Sequence, residues 1–521
     1  MRAINAKDPI FKGKTMKRSL AHAIAALVIL ASSAGSGTKP SDARPPAVAG
    51  QFYPADPQKL KLAIQQYLQD SVEIPMEKPL ALIVPHAGYL YSGQICADAY
   101  RQVAGRAYDV VVLLGVNHTT GNFSGISLGN YGSFRTPLGN SLVDEEITSA
   151  LLAECTDCNR NREVHTREHS IEVQLPFVQT LFPNARIVPA IIHPPDSKMC
   201  LRFGEALGKA LKGRRALIVI SSDLSHYPTN TNAEKADSLT LKTIAALDPS
   251  RVTSVMRVLD LPNLETRACG EAAILAGMAA AKALGATRAV VAGYANSGDV
   301  LVGYDAARTV GYGAVILAPG KTPSDTTVLN RATAPTRATP LQKSEKKILL
   351  AFARESILWY LTTQTFPLAR NLPARMDFPQ GAFVTLRKAG QLRGCIGHIP
   401  GDTALGKTVG SMALQSAFGD SRFAPVEINE LKNLEIEISV LTPMKAIASS
   451  NEIVVGRDGV LMSAAGTSAV FLPQVATENH WDRAEMLDNL CMKAGLHAGC
   501  WKRNAKFQIF QADVFSESQF R

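Results

Sequence analysis

Apolar positions along the chain follow two regimes. Up to residue 317 they arrive as continuous runs: 80–84 (LALIV), 109–115 (DVVVLLG), 185–193 (ARIVPAIIH), 216–220 (ALIVI), then 288–294 and 311–317. Unbroken Val, Leu and Ile runs suit strands covered on both faces by helices, as in a parallel α/β sheet. Helical spacing separates them. The 57–69 segment has an apolar face at Leu60, Ile64 and Leu68, and further helices are expected over 95–103, 144–154, 233–247, 249–258 and 271–284. Residues 123–134, with several glycines, read as irregular β structure. Beyond residue 343 the pattern changes. Residues 344–363 form an amphipathic helix, and 382–386 and 392–396 flank a turn at 388–391, a hairpin signal. Residues 403–418 and 483–494 read as helices. Residues 434–441 (LEIEISVL) alternate as a half-solvated strand, and 459–462, 469–472 and 507–512 are further strands. Strands and helices mix without βαβ regularity, which implies α+β. Between the regimes, 318–342 is rich in Thr, Pro and Ala and reads as an extended linker.

The chemistry-bearing residues gather where the buried runs stop. Pro85 ends the first run, since proline donates no ladder hydrogen bond, and His86 follows. The second run ends at Val116-Asn117-His118, and the fourth leads into Ser221-Ser222-Asp223-Leu224-Ser225-His226. Ligands of open α/β sheets collect outside the carboxyl ends of strands. His86 also reads as a loop histidine capping the next helix, and Asp223 as an ordinary helix cap. Cys269 precedes the helix expected at 271–284. A thiol there is acidified by the local dipole, although a small buried cysteine is the commoner fate. In HTREHSIEVQLP, His169 and Glu172 lie three apart and share a face if helical. They read as a ligand or proton-transfer pair, or as a capping histidine and a solvated glutamate.

Composition narrows the classes. The chain has 521 residues, 46% hydrophobic and 19% charged, enough for about three domains with buried cores. Of the net +10, residues 1–40 carry +6. The remainder has no dense basic run with interleaved aromatics, so nucleic acid is not an expected partner. Lys17-Arg18, the apolar run 20–31 and the small residues 32–35 read as a secretory leader, with Met16 an alternative start. The run is short of the ~20 residues that span a bilayer, and no later stretch is long and apolar enough. Export to the periplasm is expected if the leader is cleaved, and a cytoplasmic location otherwise. Among eight cysteines, Cys155 and Cys158 are the only tight pair. A local disulfide fits an exported chain, and a lone CxxC is a weak zinc signal.

Two families are recognisable on these motifs. Residues 47–317 resemble the MEMO family through AVAGQFYPAD, VPHAGYLYSG, LGVNH, EHSIEVQLPF, SSDLSHY and RACGE. Residues 343–518 resemble the AMMECR-type domain through LRGCIGH, DSRFAPV, EIEISVLTP and FLPQVATENHWD. The resemblance implies an α/β fold similar to class III extradiol dioxygenases, followed by an α+β domain. It also implies membership of the AmmeMemoRadiSam system as fused B and A proteins, beside a radical-SAM partner.

By the MEMO resemblance the metal ligands fall on His86, His118 and Cys269. Asp223, His226 and His169 would serve catalysis, with His226 as acid/base. Extradiol enzymes hold Fe(II) with two histidines and a glutamate, a set suited to non-haem oxygenases. A thiolate in place of the carboxylate makes the site softer, so Fe(II) or Cu(I) is expected, with Zn an alternative. The implied activity is dioxygenase-like oxidoreduction of a small aromatic or peptide substrate. The alternatives are a non-catalytic metal-binding scaffold and a zinc hydrolase with Glu172 or His226 as base. In the second half, Arg393, Cys395 and His398 sit in the motif that carries the resemblance. Cys395 reads as a packed strand residue, and Arg422 and His480 as polar groove candidates.

Overall fold

Four of the apolar runs pair in parallel at the centre of an eight-stranded sheet. Ala81–Val84 pairs with Ala216–Ser221, which pairs with Val110–Val116, which in turn pairs with Arg186–His193. The flanking strands join this centre antiparallel, through Gly311–Ala318 on one side and Gly125–Leu128 on the other. Gly311–Ala318 and then Arg288–Asn296 lie beyond Ala81–Val84, and Gly125–Leu128 and Cys158–Asn159 lie beyond Arg186–His193. The structure is a computed structural model that describes residues 42–300, 307–320 and 339–520. The expected leader and most of the expected linker, residues 321–338, lie outside the described residues.

The central strands are almost wholly buried, which is why their sequence does not alternate. Helix Ser197–Ala210 presents Phe203 and Leu207, and helix Glu271–Ala283 presents Ile274 and Met278. All four join Val112, Leu114, Ile218 and Ile220 in one core. Each such side chain contributes roughly 1.5–3 kcal/mol by leaving water. Because the four strands run the same way, their carboxyl ends share one edge of the sheet. The loops after Val84, Val116 and Ser221 therefore open together.

Some helix boundaries differ from the sequence reading. The helix expected at 95–103 spans Tyr89–Tyr100 and is continued by a tight turn at Arg101–Val103. It is buried on nearly every side, so its first turns carry no amphipathic stripe. Helix Pro57–Gln69 begins where expected. Asp56 caps it by accepting from the N–H groups of Gln58 and Lys59, and Pro57 occupies its first turn. A three-stranded sheet of Ala43–Arg44, Ser133–Thr136 and Gly139–Leu142 holds the segment carrying Arg44.

The chain divides into two compact units. The first takes in residues to Gly298 and the strand Gly311–Ala318, and the second residues 366–521 with most of helix Lys343–Thr363. In the second unit, Gln391–His398, Ala382–Lys388, Leu434–Leu441 and Ala512–Ser516 form one antiparallel sheet. Lys445–Ile447, Lys506–Phe510, Gly459–Ala464 and Thr467–Phe471 form another. The 507–512 run thus feeds two sheets. The hairpin tip at Ala389-Gly390 has both residues at positive φ, as a two-residue turn between twisted strands requires. Cys155 is bonded to Cys158 and Cys491 to Cys500. No helix among the described residues is long and apolar enough to cross a membrane.

Candidate metal centre

The turn that ends the first strand places His86 beneath the sheet edge, 2% exposed. Asp223, on the loop after Ala216–Ser221, accepts through Oδ1 from the N–H groups of His86 (2.7 Å) and Ala87 (3.2 Å). It therefore caps the 86–87 turn rather than a helix, since the next helix begins at Asn230. His118 follows Val110–Val116 directly. His169 comes from the loop between helix Arg162–Thr166 and the turn Glu172–Gln174.

The three imidazoles converge. One ring nitrogen from each of His86, His118 and His169 lies within 4.8 Å of the others. Ring centroids are 5.1 Å apart for His86–His118, 5.5 Å for His86–His169 and 4.7 Å for His118–His169. Cys269 joins them, with Sγ 3.2 Å from Nε2 of His86. Gly270 lets it approach, because a Cβ there would lie 2.6 Å from the carbonyl oxygen of Ser221. Gly115 does the same for the 168–170 loop, since a Cβ would meet Ser170 Oγ at 2.5 Å.

Electrostatics couple the four groups. Burial pushes the Cys269 thiol up, but His86 and His118 more than offset it and hold it at about 5. The imidazoles thus depress this thiol. For the same reason His118 stands raised to about 10: burial lowers it, and Cys269 and Glu168 win. His86 is likewise raised, against burial, by Cys269 and Asp223. His169 is driven down to about 3, first by burial and then by the neighbouring imidazoles. The cluster offers one thiolate, one neutral imidazole and two imidazoles whose protons a cation would displace. Buried, soft and nitrogen-rich, this donor set fits a transition metal.

Two other expected residues have partners of their own. Glu172 does not join the cluster, and it shares no helix face with His169. Its Oε2 accepts from Arg44 (2.5 Å) and the N–H of Ala47 (2.8 Å), and its Oε1 from the N–H of Val48 (3.0 Å) and Tyr53 Oη (2.7 Å). With both oxygens engaged and no exposed surface, it has no lone pair free to act as a base. His226 donates its Nδ1–H to Leu224 O at 2.9 Å, which leaves Nε2 as its basic atom.

Sequence reasoning passed over Glu168, a neighbour of His169 that binds His118 Nδ1 at 3.0 Å. Burial pushes its carboxyl up, yet His118 and His169 hold it well below the usual carboxylate range. The motif REHSIE contains two glutamates, and spacing alone does not say which turns inward.

In the second unit Arg393 pairs with Glu430 at 3.0 Å, and Arg422 pairs with Asp420 at 2.7 Å. Cys395 is half-buried. Its Sγ accepts from Thr385 Oγ1 at 3.3 Å, and burial raises its thiol pKa. His398 lies 2.7 Å from Asp402, and His480 is exposed. Arg422 and Asp420 meet Cys395, the guanidinium donating to Cys395 O at 3.1 Å and the carboxylate accepting from the Cys395 N–H at 2.9 Å.

The family model described as Memo-like protein matches residues 44–316, and the AMMECR1 model matches residues 350–515. A MEMO1 family protein of Methanocaldococcus jannaschii is 37% identical over 291 residues, covering 53% of this chain and 98% of that protein. Another from Methanopyrus kandleri is 34% identical over 290 residues, covering 53% and 99%. One from Aquifex aeolicus is 36% identical over 262 residues, covering 50% and 94%. The crystal structure of an uncharacterized protein from Pyrococcus horikoshii is 35% identical, covers 34% of this chain and 93% of its own, and has a TM-score of 0.33. With its histidine cluster inside the matched region, the chain belongs to the Memo-like protein family and carries an AMMECR1 region after it.

Proposed function

We propose that the first unit binds a redox-active transition metal, iron or copper, through His86, His118 and Cys269, with His169 beside them. The observation that carries this reading is the approach of three imidazoles and an acidic thiol to one point. Bound there, iron or copper would supply oxygenase-like redox chemistry. The protein's own groups have separate tasks. Asp223 holds the His86 turn, Nε2 of His226 takes or returns a proton, and Phe52 lies against His169 at 4.8 Å and limits water. The presence of Memo and AMMECR1 regions in one chain supports work within the AmmeMemoRadiSam system, beside a radical-SAM partner.

Elemental analysis of anaerobically purified protein tests the proposal. About one iron or copper per chain is expected, lost in His86→Ala and in Cys269→Ser. Absence of stoichiometric metal, or metal unmoved by both substitutions, would refute it.

One observation favours a second reading, in which the protein binds metal without turnover. The cluster holds four donors, and if all four bind, a tetrahedral ion keeps no open position for substrate. Oxygen uptake with catechols separates the two readings. Tight binding with no uptake favours the carrier.

A further inference from the structure

Glu168 is fully buried, and four donors converge on its carboxylate. Oε1 accepts from Nδ1 of His118 (3.0 Å) and from the backbone N–H groups of His169 (2.8 Å) and Ser170 (2.8 Å). Oε2 accepts from the N–H of His118 (2.6 Å). Both oxygens already accept from backbone N–H groups, so the carboxylate meets His118 as an acceptor and the facing nitrogen carries the proton.

His86 meets the mirror arrangement. Its Nδ1 lies 3.1 Å from Ser221 Oγ, and that hydroxyl spends its single proton on the carbonyl of Ser170 at 2.5 Å. Ser221 therefore accepts from Nδ1–H of His86, leaving Nε2 toward Cys269.

We infer that Glu168 is the positioning residue of this centre. Through one carboxylate it keeps the proton on Nδ1 of His118, so that Nε2 faces the cluster, and it ties the His118 and His169 loops together. Ser221 does the corresponding work for His86. Such outer partners fix ring orientation and raise ligand basicity. The metal arm of the test rests on the proposed metal-binding reading, whereas the proton arm stands without it.

The proton arm uses long-range 1H–15N correlation of the imidazoles in metal-free full-length protein. The wild type should show a downfield, slowly exchanging Nδ1–H on His118, and Glu168→Gln should move it upfield and speed its exchange at least ~10-fold. The metal arm titrates Co(II) by absorbance. Glu168→Gln should weaken binding ~10–100-fold and change the visible bands, at unchanged wild-type-like circular dichroism. If Glu168→Gln fails to fold, Ser221→Ala supplies the same test at Nδ1 of His86. An unprotected Nδ1–H in the wild type, or one unaltered by substitution, overturns the inference. So does Co(II) bound equally by wild type and Glu168→Gln. A wild type that protects Nδ1–H but binds no Co(II) upholds the positioning role and refutes the metal centre instead.

Discussion

Replacing Glu172 by alanine distinguishes a structural clasp from a catalytic base. Arg44 is 0% exposed and directs its guanidinium to Glu172, to the carbonyl of His165 (2.5 Å) and to the carbonyl of Glu168 (2.5 Å). Removing Glu172 strands that charge and leaves two backbone N–H groups and a tyrosine hydroxyl without their acceptor. Breaking a buried pair by deleting one partner costs ~3–5 kcal/mol. For a unit of this size that corresponds to a fall of ~10 °C in Tm. Thermal unfolding followed by far-UV circular dichroism measures it, with an internal reference available. Trp359, Trp481 and Trp501 all lie in the second unit, so tryptophan fluorescence follows that unit alone. The dichroism transition of the first unit should drop while the tryptophan transition holds. A loss below ~1 kcal/mol, together with a fall in activity or metal content, would refute the clasp and return Glu172 to the site.

Two further predictions follow from titration. His165 is wholly buried, and its pKa is lowered to about 4, chiefly by burial and also by Arg44, against about 6.5 when unfolded. The folded state thus refuses a proton that the unfolded state accepts. This stability is complete above pH 6.5 and is lost as pH falls toward 4, by about 2 kcal/mol between pH 7 and 5. Urea unfolding of wild type and His165→Gln at the two pH values measures it, and equal pH slopes would contradict the assignment. Cys269, held at about 5, should be alkylated by iodoacetamide at a rate nearly flat above pH 6, whereas Cys395, raised by burial, should react faster as pH rises. Peptide mass spectrometry reads both rates, and parallel profiles would contradict the imidazole–thiolate pairing.

The reach of the sequence is clearest at particular residues. Val110–Val116 and Ala216–Ser221 were legible because burial on both faces writes itself as an unbroken apolar run. His86 and His118 were legible because each stands just beyond such a run. The helix at Tyr89–Tyr100 was misplaced because burial on all sides erases the 3.6-residue stripe. Cys269 looked acidified by a helix terminus, whereas the stronger cause is two imidazoles from distant strands.

What the sequence determined by itself was local: which segments bury both faces, where proline and glycine end them, and so which side chains stand at strand ends. Only the tertiary structure decided which of the two glutamates in REHSIE serves the imidazoles and which clamps Arg44. That choice depends on what the folded chain brings against each one. Ala43–Arg44 and the turn after Val116 are remote in sequence, and no periodicity within a twelve-residue motif carries their positions.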